Sequence, residues 1–81
     1  MSTTIDQSRR NSEQTTGVSN VAYDLMVVLT NKLQGIAALE TYRDDANNAS
    51  DSEVSAVFDR LIQRDRQEIE ELRRLLTGRL G

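Results

Sequence analysis

The chain has no cysteine, so disulfides, thiolate metal sites and thiol catalysis are all excluded. It has no histidine, which removes Ser-His-Asp triads, His-bearing zinc sites and the usual general base. It has no proline, no tryptophan and four glycines, a composition that points to helix. Aromatics are scarce: Tyr23, Tyr42 and Phe58 are the whole set. Long apolar runs are missing as well. The longest is Leu25 to Leu29, far short of the roughly 20 residues a membrane span needs. The N-terminus has no apolar stretch of the kind secretion signals carry. A soluble cytoplasmic protein is the expectation.

With 81 residues, 37% of them apolar, the chain can bury one modest core. Chains of this size lean on disulfides, a metal or oligomerisation, and the first is already excluded. Ten basic and 13 acidic residues give a net charge of −3. That is the wrong sign for a nucleic-acid binder, so neither nucleic acid nor membrane is expected as a partner.

Residues 1–17 are rich in Ser, Thr, Gln and Asn, with Ile5 as the one large aliphatic residue. Such a segment cannot offset its ordering entropy, so a disordered tail ending at Gly17 is expected. From Val18 the texture changes. Val21, Ala22, Leu25, Val28, Leu29, Leu33, Ile36, Leu39 and Ala46 recur at steps of three and four. This is helical periodicity. It predicts a first helix over about 20–47, roughly 40 Å long, with Ser19 or Asn20 as N-cap. Gly35 falls in its middle, at a cost of up to about 1 kcal/mol relative to alanine.

The break is Asn47-Asn48-Ala49-Ser50-Asp51, with asparagine suited to the left-handed turn that ends helices. Ser50 and Glu53 have capping-box spacing, which predicts Ser50 as the second N-cap. The second helix is expected over about 51–77, after a loop at 48–50. Thr77-Gly78 reads as its stop. Val54, Val57, Phe58, Leu61, Ile62, Ile69, Leu72, Leu75 and Leu76 share one face. Four-residue spacing predicts Arg64–Glu68, Arg66–Glu70 and Glu70–Arg74 pairs on the other. The fold class is therefore all-α: residues 18–81 form two long antiparallel helices, a helical hairpin. One hairpin leaves part of each apolar stripe wet, so two copies are expected to pack as a four-helix bundle.

Two acids interrupt the stripe of helix 2. At about 100° per residue from Leu61, Asp65 falls near 40° and Glu68 near −20°. Charges at core positions need partners. On helix 1, Lys32, Glu40 and Arg43 lie on or beside the apolar seam. If the turn centres near residue 50, position 32 is level with 68, and Lys32 can reach Glu68 or Asp65. Glu40 and Arg43 are three apart and can pair. Two readings stay open. Carboxylates projecting inward from facing helices are how bundles hold two iron or manganese ions, with Glu40, Asp65 and Glu68 as the ligands. Alternatively these are structural ion pairs that fix register, with Lys32 and Arg43 as the cations.

The stretches Leu33-Gln34-Gly35, Glu40-Thr41-Tyr42, Ala49 to Val54 and Asp65-x-x-Glu68 resemble one half of a ferritin-like bundle. The likeness runs from about Val21 to Leu76, to encapsulated ferritins and short bacterial ferritin-like proteins. It implies a ferritin-like four-helix bundle built from a hairpin dimer, and ferrous oxidation or storage as the activity. In that family helix 2 carries Glu-x-x-His, and Asp65 and Glu68 fall on those positions. The helix 1 glutamate belongs near 34–36, where this chain has Gln34, Gly35 and Ile36. Tyr42 falls close to a tyrosine that lies near the metal in encapsulated ferritins. The segment Leu76 to Gly81 is similar to tails that load cargo into encapsulin shells, which would make a protein shell the partner. A homodimer or higher homo-oligomer acting as an assembly or interaction module is the favoured function. An iron or manganese protein is the alternative. An RNA-binding hairpin dimer is a third reading, which the acidic balance opposes.

Overall fold

Ser19 starts the first helix. Its backbone is extended (φ −61°, ψ 157°), and its hydroxyl accepts the Ala22 amide hydrogen at 3.1 Å. That satisfies one of the four amide donors every helix start leaves open. In the computed structural model, which describes residues 19–80, α1 runs Asn20–Asn48 and α2 runs Ser52–Leu80. The tail expected over residues 1–17 lies outside the described residues, as do Val18 and Gly81. Each helix has 29 residues, and the two pack against each other as an antiparallel hairpin. No helix among the described residues is long and apolar enough to cross a membrane.

The turn is built differently from the capping-box reading. Ser50 sits at φ 58°, in the left-handed region. The Asp51 amide donates to the Ala46 carbonyl at 2.9 Å, and the Ser50 amide to the Asn47 carbonyl at 3.0 Å. These two bonds are a Schellman motif, with Ser50 where glycine usually stands. The left-handed residue is thus neither Asn47 nor Asn48, both of which stay helical. Ser50 is spent closing α1, so Asp51 caps α2: its carboxylate accepts the Val54 amide hydrogen at 3.1 Å. Asp51 does this better than a serine, because a carboxylate also complements the positive end of the helix dipole. Ser50→Gly removes the steric cost of a Cβ in this conformation. It is expected to stabilise the hairpin by about 1 kcal/mol, read as a higher midpoint in thermal unfolding followed by circular dichroism.

At the other end, Gly78 does not stop α2, which continues to Leu80. Two side chains hold the last turn. Thr77 Oγ1 donates to the Arg73 carbonyl at 2.8 Å, and an Arg79 guanidinium nitrogen to the Leu75 carbonyl at 2.9 Å. Arginine there also suits the negative end of the dipole.

The buried positions recur by sevens. Ala22 and Ile36 in α1, with half-buried Leu29 between them, face Ser55, Ile62 and Ile69 in α2. Ile36, Ile62 and Ile69 form the core, with Leu29 and Leu39 packed on it. A seven-residue repeat is the signature of helices that stay in contact along a coiled seam. The second row of that seam is Leu25, Lys32, Leu39 and Ala46 in α1, and Phe58, Asp65 and Leu72 in α2. Ser55 is the one buried polar residue among those described, and its hydroxyl donates to Asn47 Oδ1 at 2.6 Å.

Candidate functional site: a lysine between two seam carboxylates

Lys32 and Asp65 occupy rows that are otherwise apolar, so their charges meet inside the seam. Lys32 Nζ lies 2.5 Å from Glu68 Oε1 and 3.3 Å from Asp65 Oδ1. The Asp65 side chain is 15% exposed, that of Lys32 31% and that of Glu68 46%. Glu68 is therefore the watered edge of the cluster and Asp65 its inner end. The hydrogen bond to Glu68, then that to Asp65, holds the Lys32 ammonium above its ordinary pKa. The sign follows from linkage. The charged lysine keeps the pairing, and the stability it brings, from neutrality up to the ordinary lysine value. That stability is lost as pH climbs through the raised one.

Arg43 does not pair with Glu40. It reaches across the hairpin to Asp59 at 2.9 Å, and that hydrogen bond raises its pKa. Glu40 instead faces Arg66 at 3.6 Å. These contacts and the Glu70–Arg73 pair at 2.9 Å also displace the pairs expected along α2. Glu68 is taken by Lys32, Arg66 faces Glu40, and Glu70 bonds Arg73 rather than Arg74. Cross-hairpin partners win because position 43 stands level with 59 once the turn is placed, and the long Arg66 side chain reaches back one helical turn to Glu40. Exposed pairs of this kind contribute little each, and salt screens them.

The residues present in one chain do not fit a dication. Asp65 and Glu68 are bridged by an ammonium, which would have to leave first. Glu40 is on the opposite flank of the seam, facing Arg66. No three carboxylates among the described residues gather as a metal-holding group. Tyr42 packs its ring on Phe58, with centroids 6.1 Å apart and planes tilted by 51°. Residues 76–80 lie within α2. No protein-family model, no curated protein and no solved structure matches this chain.

Ser55 is the residue sequence reasoning passed over. Its signal is the step of seven to Ile62 and Ile69. A serine on that step, one helical turn into α2, is small enough to let the helices approach near the turn.

Proposed function

We propose that this chain is a self-associating helical hairpin, two copies packing into a four-helix bundle of ferritin-like type, and that it acts as a non-catalytic assembly or interaction module. One observation carries the reading. Among the described residues only five hydrophobic side chains are buried, Ala22, Ile36, Ala46, Ile62 and Ile69, and two of them are alanines. Eight large hydrophobics, Leu33 and Tyr42 among them, are exposed by 37% or more. A core of three isoleucines is small against the conformational entropy of about 60 ordered residues. Burying part of the exposed set against a second copy makes up the difference.

The absence of histidine and cysteine, together with the Lys32 bridge, favours assembly over chemistry. Native mass spectrometry of protein made in iron- and manganese-replete medium tests both parts. A metal-free dimer or higher even oligomer is expected. A monomer at every concentration overturns self-association. A dimer carrying about two metals, lost in Asp65→Ala, overturns the non-catalytic part. Thermal unfolding gives a second readout. Each tenfold rise in concentration adds about 1.4 kcal/mol to a dimer, so the midpoint should climb by a few degrees per decade.

A further inference from the structure

The two flanks of the hairpin differ in chemistry. On one flank, the positions beside the seam are Val21, Val28 and Tyr42 in α1, and Val54, Leu61 and Leu75 in α2. Two open hollows mark it: one at Val28, Leu72 and Leu75, the other at Tyr42, Val54 and Phe58. The other flank has a hollow too, at Leu29, Leu33, Ile36 and Ile69, but beside Met26 and Leu33 its positions are Glu40, Asp59, Arg66 and Arg73, all held in ion pairs. That flank already satisfies its charges within one chain. We infer that the Val28–Tyr42–Val54–Leu75 flank is the surface on which a second copy docks, with Lys32, Asp65 and Glu68 at the centre of the contact. This rests on the self-association proposed above and names its face.

Three observations favour a second copy as the occupant. The first is area. Two 29-residue helices side by side present a face of about 43 by 19 Å, close to the roughly 800 Å² per partner of a stable interface.

The second is Gly35. It stands on this flank at the middle of α1, level with Asp65, and a Cβ built there meets nothing within 4 Å in its own chain. Nothing in the hairpin needs a glycine there. Its missing side chain leaves room there for a second backbone to approach.

The third is the place of the charged cluster. Residue 32 is near the middle of α1, and 65 and 68 are near the middle of α2. Two copies that overlap fully therefore bring their clusters to the same level, whichever way they run. Glu68, the most exposed member, then lies within reach of the partner's Lys32. Shifted overlaps leave these charges against apolar side chains, which selects the full overlap.

The test uses light scattering on the full chain and two matched lysine substitutions. Val28 is 44% exposed on the proposed face, and Leu33 is 53% exposed on the other. Val28→Lys should weaken the dimer by a hundredfold or more, and Leu33→Lys by less than threefold. The reverse order overturns the inference while leaving self-association intact. A monomeric parent removes the reading beneath it. Because Val28→Lys can also lower helicity, thiol labelling supplies a second measurement. The chain has no cysteine, so single Val28→Cys and Leu33→Cys variants report one site each. Protection of residue 28 that grows with concentration, with residue 33 labelled at a constant rate, is the expected result. Equal labelling at every concentration overturns it.

Discussion

Replacing Ile62 with alanine should abolish cooperative unfolding at micromolar concentration. Among the described residues Ile62 is the one large side chain that is fully buried, at 0% exposure, and it joins Ile36 and Ile69 in the core. Deleting a buried isoleucine to alanine costs about 2–5 kcal/mol, the larger values where the cavity cannot collapse. Two straight helices locked by a short turn have little freedom to collapse around one missing side chain. The whole stability expected of some 60 ordered residues is only about 3–9 kcal/mol. The loss is therefore of the same size as the total. Circular dichroism against temperature should show a broad, shallow melt in place of a sigmoid. Leu33→Ala is the control: at 53% exposure it should shift the midpoint by no more than a few degrees. An Ile62→Ala melt as sharp and as late as the parent's would mean that the core lies elsewhere.

The second large effect is expected from Lys32→Met. Methionine keeps the aliphatic reach of lysine and removes only the charge. Asp65 and Glu68, one helical turn apart, then face each other with no counter-ion, and Asp65 is mostly out of water. Removing one partner of such a cluster is far more damaging than removing all of it. The thermal midpoint should therefore fall in Lys32→Met. It should recover to the parent value or above when Asp65→Leu and Glu68→Leu are added. The parent has an alkaline limit. Its Lys32 ammonium is held above the ordinary lysine value, so a midpoint steady through neutrality should decline only above about pH 10. Equal midpoints for parent and single variant at neutral pH would leave the cluster without energetic weight. Recovery of stability in the triple variant with a mixture of oligomers would mark the charges as a register device.

The helices themselves were legible because their apolar residues keep a three-and-four step for more than 25 residues. The seam of α1 was legible too: Ala22, Leu29 and Ile36 lie close to the direction the periodicity indicates. The seam of α2 was legible in part. The apolar arc there is centred near Leu61, and Phe58, Asp65 and Leu72 lie within about 60° of it, whereas the more deeply buried row, Ser55, Ile62 and Ile69, is rotated by about 80–120° at the helical period. The arc is wider than the contact one neighbouring helix can cover, and periodicity cannot divide it between two neighbours. Leu61 and Leu75 lie in the part of the arc left half-buried. The cluster at Lys32 was within reach because it depends on level alone. Counting outward from a turn near residue 50 sets 32 against 68. The turn residues were harder to read. Ser50 and Asp51 are both good caps, and which one caps depends on how α1 ends. Ser50 in the left-handed conformation is a tertiary outcome that its residue type does not announce.

The three-residue turn between the helices also sets the order in which contacts become affordable. The Asn47–Ser55 bond closes a loop of only seven intervening residues, a small entropic cost once the Schellman bonds have formed. From there each layer outward, Leu39 and then Leu29 on the isoleucine core, adds two to three turns of each helix to an already closed ring. The added cost grows only logarithmically, while each layer returns a full pair of side chains. The hairpin is thus a zipper with one inexpensive end, and its contact order is low where folding starts. The pair farthest from the turn closes last and opens first, so the middle of the chain is the most persistent part of the hairpin and its two outer ends the most readily frayed.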